Sequence, residues 1–327
     1  MAKKLKWGIL ATGGIAGTFA KDLAYADNGE CYAVGSRNLE HAKQFADEHG
    51  ASIAYGSYQE LVEDPNVDVI YVATPHPYHK ENVLTCLRAG KAVLCEKPFT
   101  VNTAELAELI EFAREKQLFL MEAMWTRFLP AIKKVREWLE EGKIGEVQLV
   151  KADFGFRAPW EPEWRLLNPK LGGGALLDAG IYPISFASMI FGANPEKIMS
   201  TVEIGETGVD ERFSLLLKYQ NGKTASLNGA IRLSLTNEAT IHGPKGFIRI
   251  PSFLNAKEAH LHLDNEEVES FVDDRESVGY KFEAEEVGRL LENGRLESDA
   301  ISLNQSLEIM KLMDRVREQW GLTFSFE

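Results

Sequence analysis

The sequence has few cysteines, fewer basic than acidic residues, and no long uninterrupted apolar run. Its three cysteines, Cys31, Cys86 and Cys95, lie in apolar stretches without the spacing of metal ligands. We therefore expect buried free thiols and neither disulfides nor a metal site. The formal net charge of −13 disfavours nucleic acid and anionic membranes as partners. Because we find neither a signal sequence nor a run of about 18 apolar residues, we expect a cytoplasmic protein.

The first 122 residues alternate apolar strands with helical segments. The stretch Val67 to Ala73 is apolar at every position except Asp68, as in a central strand covered on both faces. Asn38 stands where a helix would begin, and its side chain is a favoured N-cap. This alternation predicts an α/β domain, residues 1–122, with a doubly wound parallel sheet.

Residues 123–327 have a different pattern. Several strands follow one another with hairpin signals at Asn221-Gly222 and between Gly243 and Gly246. Two helical segments close the chain. We therefore predict a second, α+β domain with a large, mostly antiparallel sheet, in line with the two domains expected for 327 residues.

A glycine-rich turn follows the first predicted strand. It resembles the dinucleotide fingerprint G-x-G-x-x-G/A, with alanine at the first glycine position. A side chain at the middle glycine would block a pyrophosphate at the helix N-terminus, and a small third residue allows close helix–strand packing. The predicted cofactor-binding residues of this turn are Ala11, Thr12, Gly13, Gly14, Ile15 and Ala16.

The end of the second strand indicates which dinucleotide is preferred. An NAD site places a carboxylate here for the ribose hydroxyls, whereas this chain has Ser36 and Arg37. A serine hydroxyl and a guanidinium suit a 2′-phosphate. The sequence therefore predicts NADP(H) in preference to NAD(H).

Two further loops are predicted at the carboxyl edge of the sheet, beside the cofactor. The first follows the fourth strand, and the second follows the fifth, where an apolar run ends in an acid, a base and a proline. Because parallel strands end at the same edge, both loops face the crevice. The predicted cofactor contacts in the two loops are Thr74, Pro75, His76, His79, Glu96 and Lys97.

Together with Glu96-Lys97-Pro98, two long motifs carry a resemblance to a known family. They are EAMWTRFLP at residues 122–130 and GGGALLDAGIYP at residues 172–183. The chain resembles the glucose–fructose oxidoreductase/inositol dehydrogenase (Gfo/Idh/MocA) family, in the branch of dimeric dihydrodiol dehydrogenases and NADP-dependent D-xylose dehydrogenases. Tyr182 stands where inositol dehydrogenases carry histidine, which argues against cyclitol oxidation by an Asp–His pair.

The resemblance implies a Rossmann-type cofactor domain and an NADP-dependent oxidoreductase that moves a hydride between nicotinamide and a sugar or vicinal diol. It also implies a homodimer or dimer of dimers formed through the large sheet, and a Lys97–Pro98 bond that is often cis in relatives. Two alternatives stay open: a reductase of a dicarbonyl or anhydro sugar, and a cofactor-sensing regulator without turnover.

The predicted catalytic residues are Lys97, Asp178 and Tyr182. Asp178 and Tyr182 are four apart, so a helix places them on one face. We assign Tyr182 as general acid–base, with Lys97 as the cation that favours its ionised form, and Asp178 pairs with Lys97 or holds a substrate hydroxyl. Lys97 as the base, with Tyr182 orienting substrate, is the alternative. The predicted substrate contacts are Trp125, Arg127, Phe128, Arg157 and Asp178.

Overall fold

The first part of the chain repeats a unit of strand and helix. In the computed structural model, which describes residues 4–327, six strands form an entirely parallel sheet in the order β3-β2-β1-β4-β5-β6. Their bounds are Leu5–Leu10 (β1), Gly29–Gly35 (β2), Ile53–Tyr55 (β3), Val69–Val72 (β4), Ala92–Glu96 (β5) and Leu120–Ala123 (β6). Every residue of β4 is buried, as predicted for a central strand. The predicted doubly wound sheet is confirmed.

Five helices connect these strands, and polar side chains cap three of them. Their bounds are Gly14–Leu23 (α1), Leu39–His49 (α2), Tyr58–Glu63 (α3), His79–Arg88 (α4) and Thr103–Lys116 (α5). Asn38 accepts the Glu40 N–H at 2.9 Å, which confirms its predicted capping role. Ser57 and Asn102 cap α3 and α5 in the same way.

The second part of the chain builds an eight-stranded sheet in the order β14-β13-β12-β11-β7-β10-β9-β8. The strands are Leu149–Gly155 (β7), Lys197–Ile204 (β8), Asp210–Lys218 (β9), Thr224–Ala230 (β10), Ala239–Gly243 (β11), Gly246–Ile250 (β12), Glu258–Leu263 (β13) and Glu266–Val272 (β14). Among the described strands of this sheet, β7 and β10 pair in parallel and all other neighbours pair antiparallel. Both predicted hairpin turns are present, between β9 and β10 and between β11 and β12.

Helices Pro130–Glu140 (α6) and Ile181–Phe191 (α7) pack against this sheet. A π-helical turn, Leu176–Gly180, leads directly into α7. By length and composition, Pro169–Phe191 is apolar enough to cross a membrane, with mean hydropathy 1.4. However, 83% of its apolar window is buried in the fold, as in the core helix of a folded domain. α7 is thus the central helix of the second part.

The chain divides into two compact units, and a late segment belongs to the first of them. Unit 1 extends to Trp125 and includes Glu276–Leu307, and unit 2 comprises Thr126–Arg275 and Glu308–Glu327. The segment Glu276–Leu307 contains α8, Lys281–Glu292, and the start of α9, Leu303–Trp320. The domains predicted from the sequence, residues 1–122 and 123–327, are each contiguous and do not include this return to unit 1. Residues 1–3 of the predicted first domain lie outside the described residues.

Asp22 explains why the late segment returns to unit 1. Its carboxylate is 3% exposed and accepts the backbone N–H groups of Val278, Gly279 and Tyr280 at 2.6–2.8 Å. These groups directly precede α8, so a side chain from α1 holds the start of a helix more than 250 residues away in sequence. Local sequence patterns do not predict a hydrogen bond between residues so far apart in the sequence.

Ala11 lies in a backbone conformation that favours glycine. Its φ is 93°, at the position where the dinucleotide fingerprint has its first glycine. We expect Ala11→Gly to raise the free energy of unfolding by about 0.5–1 kcal/mol, since the released strain exceeds the added freedom of the unfolded chain. Equilibrium urea unfolding measures this. The control Ala107→Gly, at an exposed position inside α5, should lower it by about 0.5–1 kcal/mol; destabilisation by both would contradict the strain at Ala11.

Candidate active site

The strand order of the parallel sheet defines where a ligand can bind. The chain runs outward in opposite directions from β1 and β4, so a crevice opens between the carboxyl ends of these two strands. The glycine-rich turn follows β1, and the loop that begins at Ala73 follows β4. The structure therefore brings the glycine-rich turn and the loop after β4 to the switch point of the sheet.

Gly13 is the N-cap of α1, and neither its backbone conformation nor its packing within the described residues requires a glycine. Its φ of −75° and ψ of 175° suit any residue, and a Cβ would meet no described atom within 4 Å. Within residues 4–327, no side chain caps this helix start, and its first turn carries no acidic residue. Unsatisfied N–H groups and open space at a helix N-terminus suit an anion. Ala16 is fully buried against the sheet, as the fingerprint requires.

A cavity of about 600 Å³ opens beside this turn. None of the ten described residues that line it is acidic, and two are basic or can become so. They are Ala11, Thr12, Gly13, Ser36, Arg37, Asn38, His41, Tyr58, Ala73 and Pro75. A donor-rich lining without a carboxylate suits a phosphate group better than a free ribose hydroxyl pair.

Arg37 lies at the exposed edge of this cavity and hydrogen-bonds to Tyr58. Burial raises the pKa of Tyr58, and the charge and hydrogen bond of Arg37 partly offset that effect. Ser36 is 7% exposed, and its Oγ accepts the Asn38 N–H at 3.3 Å. Sequence reasoning missed Tyr58 and His41. For His41 the signal was available, because it lies in the first turn of α2, shortly after Ser36 and Arg37.

A buried histidine, His79, holds the loop after β4 in place through hydrogen bonds. His79 is fully buried; its Nε2 lies 2.7 Å from the Thr74 carbonyl oxygen and its Nδ1 lies 2.9 Å from the Pro98 carbonyl oxygen. Burial lowers the pKa of His79. His79 thus joins the loop after β4 to the loop after β5. His76 is 8% exposed and its ring meets that of His79 edge-on. Direct contact of either histidine with a cofactor stays a prediction.

The end of β5 places an acid and a base in succession. Glu96, the last residue of β5, is 4% exposed and accepts hydrogen bonds from the Tyr71 hydroxyl and from the Lys97 backbone N–H. Lys97 is half-buried, and its bond to Pro98 is cis. Lys97 therefore follows the strand directly, at the carboxyl edge of the sheet.

In unit 2, Asp178 and Tyr182 lie across the junction of the π-helical turn and α7. Both are buried, and the Tyr182 ring meets Phe154 of β7 edge-on, with ring centroids 5.5 Å apart. Such π-turns inside helices are frequent at functional sites. Arg165 donates to the Asp178 carboxylate with an N–O distance of 2.6 Å. Arg165 was not among the residues predicted from the sequence.

The run Gly172-Gly173-Gly174 explains how Arg165 reaches Asp178. A Cβ on Gly173 would lie 2.7 Å from the backbone oxygens of Arg165 and Leu166, so only glycine permits this approach. Gly174 has φ 125° and adjoins Asp210, whose carboxylate accepts the Leu176 N–H at the start of the π-turn. Burial raises the pKa of Asp210 to about 7. The glycine motif thus packs the Arg165 loop against the turn that carries Asp178.

The remaining predicted substrate contacts are mostly buried. Trp125 stacks on Tyr280 with centroids 4.6 Å apart, and Phe128 is 1% exposed. Arg127 is 3% exposed and donates to the hydroxyl and carbonyl oxygens of Ser185 on α7. Arg157 is exposed and bridges to Arg232 through the backbone. Substrate contact by these residues stays a prediction.

Over residues 4–327, no group of three or more His, Cys, Asp or Glu side chains is arranged to hold a metal ion. The six-stranded sheet, its switch-point cavity and the open helix N-terminus define a dinucleotide-binding protein of the Rossmann type.

Comparison with known proteins gives the family. Residues 5–124 match the family model described as "Oxidoreductase family, NAD-binding Rossmann fold", and residues 132–249 match the "GFO/IDH/MocA C-terminal domain". The chain belongs to the Gfo/Idh/MocA family and is an oxidoreductase with an NAD(P)-binding Rossmann domain. The resemblance stated from the sequence motifs is confirmed.

Full-length relatives are dihydrodiol dehydrogenases. Trans-1,2-dihydrobenzene-1,2-diol dehydrogenase from Xenopus laevis is 41% identical, over 98% of this chain and 99% of the relative. The Homo sapiens enzyme of the same name is 40% identical, over 98% of both chains.

Solved structures share the fold over nearly the whole chain. A 3-ketoreductase from Actinomadura kijaniata, solved with NADP and TDP-benzene, is 28% identical with a TM-score of 0.86, covering 97% of this chain and 98% of the other. Aldose-aldose oxidoreductase from Caulobacter crescentus has a TM-score of 0.87 at 23% identity, covering 98% and 99% of the two chains, and supports the fold alone.

Proposed function

We propose that this protein is an NADP-dependent dehydrogenase or reductase that moves a hydride between C4 of nicotinamide and a carbinol carbon of an aldose-type sugar or a vicinal diol. The observation that carries the cofactor preference is the 600 Å³ cavity lined by Ser36 and Arg37 without an acidic residue. The names of the full-length relatives support a diol substrate, and the ketoreductase solved with NADP supports the cofactor.

In this proposal the two domains of the chain have different functions. The N-terminal domain, residues 1–122, binds the cofactor, and residues 123–327 supply the substrate site and the oligomer contacts. The large sheet of unit 2 forms the interface of a homodimer, and the enzyme works in the cytoplasm on a small molecule. The domain roles and the homodimer rest on the family resemblance, and the net charge of −13 argues against nucleic acid or an anionic membrane as a partner.

Tyr182 moves the substrate proton in the proposed reaction. Bound NADP supplies the nicotinamide carbon that accepts or returns the hydride. The Tyr182 hydroxyl takes the proton of the reacting alcohol, or returns it to the carbonyl, and the Lys97 ammonium favours the ionised phenolic oxygen. This step requires two side chains of the chain: Lys97, which directly follows β5, and Tyr182, in the first turn of α7.

Asp178 binds substrate and does not take its proton. A lone carboxylate one turn from Tyr182 would disfavour ionisation of the phenol. The guanidinium of Arg165, 2.6 Å from an Asp178 oxygen, offsets that charge and fixes the carboxylate's orientation. The other lone pairs of Asp178 then accept a hydrogen bond from a second substrate hydroxyl. Trp125, Arg127, Phe128 and Arg157 complete the proposed substrate site.

Reduction of a dicarbonyl or anhydro sugar is the second candidate. The 28% identical 3-ketoreductase favours it, because the proposed proton and hydride transfers of alcohol oxidation run in reverse when a ketone is reduced. A panel of aldoses, trans-diols and dicarbonyl sugars, followed by the absorbance of NADPH in both directions, separates the candidates. We expect turnover of a diol or sugar with NADP; turnover of dicarbonyls alone would establish the second candidate.

Arg37→Ala is expected to lower kcat/KM for NADP about 10- to 100-fold and to leave kcat/KM for NAD within about 3-fold. One charge-assisted contact with the 2′-phosphate contributes about 1.5–3 kcal/mol. Steady-state kinetics with both cofactors measures the selectivity. Lys43→Ala is the control, since it removes a nearby exposed charge on α2 that pairs with Glu40. Equal loss with both cofactors would contradict the 2′-phosphate contact.

A further inference from the structure

Four carboxyl groups are buried together in unit 1. Their side chains belong to residues that are 0–4% exposed: Asp22, Glu96, Glu122 and Glu283. Three of them have hydrogen-bond donors. Asp22 accepts the N–H groups that directly precede α8, Glu96 accepts from the Tyr71 hydroxyl, and Glu122 accepts the Phe99 N–H at 3.2 Å and the Ser306 hydroxyl at 2.6 Å.

Glu283 differs from the other three. It is 0% exposed, and neither carboxyl oxygen has a hydrogen-bond partner among residues 4–327. Glu283 is the third residue of α8, a position from which glutamate normally accepts the N–H of the N-cap residue. The N-cap is Tyr280, whose N–H is 2.7 Å from the Asp22 carboxylate. The Tyr280 N–H group, which would otherwise donate to Glu283, therefore donates to Asp22.

The groups around Glu283 are acidic or aromatic. Burial is the largest influence that raises the pKa of Glu283 well above its usual range, and the negative charges of Glu96, Asp22 and Glu122 add to it. The pKa of Tyr71 is likewise raised by burial and by Glu96, then Glu283. The titratable residues facing or adjoining Glu283 are Asp22 on α1, Tyr71 on β4, Glu96 on β5, Glu122 on β6 and Tyr280 before α8; the neighbouring strand β2 carries Glu30, Cys31 and Tyr32.

Sheet register connects this cluster to the end of β5. Tyr71 pairs with Leu94, and Glu96 follows two residues later on the same face, where Tyr71 donates to it. The Tyr71 ring stacks on Phe19 of α1 with centroids 3.8 Å apart. The other oxygen of Glu96 accepts the Lys97 backbone N–H at 3.1 Å. Any change in the charge of Glu96 therefore acts next to Lys97.

We propose that Glu96 and Glu283 share one negative charge in the working enzyme, so that Glu283 is a positioning residue for Lys97. Two neighbouring carboxyl groups in a low-dielectric site do not both ionise, and they titrate as a pair. With Glu283 neutral, Glu96 remains the anion that receives the Tyr71 hydroxyl and the Lys97 N–H. The role assigned to Lys97 rests on the proposed function.

A second negative charge appears in this cluster when the shared proton leaves at alkaline pH. That charge favours the protonated form of Lys97 and so extends activity to higher pH. Glu283→Gln keeps the shape of the neutral acid but cannot ionise. We therefore expect the alkaline limb of the kcat profile to move to lower pH by about half a unit to one unit, with kcat near pH 6 within about 3-fold of the parent.

Infrared spectroscopy detects the protonated carboxyl group directly and requires no substrate. At pH 7 the parent should show the C=O stretch of a neutral carboxylic acid from Glu283 beside that of partly protonated Asp210, and Glu283→Gln should lose the Glu283 component alone. Glu285→Gln, on the same helix and half-exposed, is the control and should keep both the band and the pH profile. Glu283→Met, also neutral, replaces the glutamine variant should the latter fail to fold.

Two results would overturn the proposal. An unchanged acid band in Glu283→Gln would show that Glu283 does not carry the proton. Loss of the band with an unmoved alkaline limb would show that the cluster does not act on Lys97. Failure of the proposed function is visible separately, because the infrared measurement needs no turnover.

Discussion

Tyr182→Phe is expected to lower kcat at least about 100-fold, with the affinity for NADPH unchanged within about 3-fold. A general acid–base group contributes about 10²–10⁴-fold to the chemical step. The substitution removes one oxygen and keeps the ring, so the edge-on contact with Phe154 is retained. Lys97→Ala should cause a loss of the same order, because the phenol then lacks the cation that favours its ionised form.

The comparison of the two variants separates the two assignments of the proton-transfer group. If Lys97 is the base and Tyr182 only orients substrate, Lys97→Ala loses at least about 100-fold and Tyr182→Phe less than about 10-fold. Tyr219→Phe is the matched control in unit 2. Tyr219 is 4% exposed and its hydroxyl has no hydrogen-bond partner among residues 4–327, so its removal should leave kcat unchanged. Normal turnover in Tyr182→Phe would contradict the tyrosine assignment.

Gly13→Ala is expected to weaken NADP binding about 30- to 150-fold and to lower the free energy of unfolding by at most about 1 kcal/mol, since alanine is a poorer N-cap than glycine. The backbone of Gly13 suits alanine, and the added methyl group meets no described atom. The methyl group would instead occupy the space in front of the α1 N-terminus, where the pyrophosphate is expected. Loss of one charge-assisted hydrogen bond, about 2–3 kcal/mol, corresponds to that change in affinity.

Fluorescence titration with NADPH and a thermal melt measure the two quantities for Gly13→Ala. Gly56→Ala is the control, since its Cβ would make only ordinary contacts with Leu39 and Glu60, and Gly56 does not line the cavity. We expect its affinity and melting temperature to match the parent. A Gly13→Ala variant that binds NADPH normally would show that the glycine turn does not hold the pyrophosphate.

Local patterns were sufficient to predict the parallel sheet. The strands of that sheet are short and mainly apolar, and each side-chain cap, such as Asn38, satisfies N–H groups within three residues. The same holds for the hairpin turns of the second sheet. The residues at the carboxyl strand ends followed from the parallel topology, because successive strands end at one edge.

Long-range contacts could not be predicted in the same way. The bond of Asp22 to the start of α8 and the pair of Arg165 with Asp178 join residues whose approach depends on the finished fold. The π-turn at Leu176–Gly180 was also not predicted, because its apolar sequence is equally compatible with a regular α-helix. The Gly172-Gly173-Gly174 run was visible as a motif, but its reason, the close approach of the Arg165 loop, appears only in the structure.

The transfer of deuterium from substrate to cofactor tests the central claim most directly. A trans-diol or aldose from the substrate panel, labelled with deuterium at the reacting carbinol carbon, is incubated with the enzyme and NADP, and the NADPH formed is analysed by NMR. The proposed function predicts deuterium at C4 of the nicotinamide without loss to water. Tight NADP binding with no label at C4 for any member of the panel would contradict it and would indicate a cofactor-sensing protein.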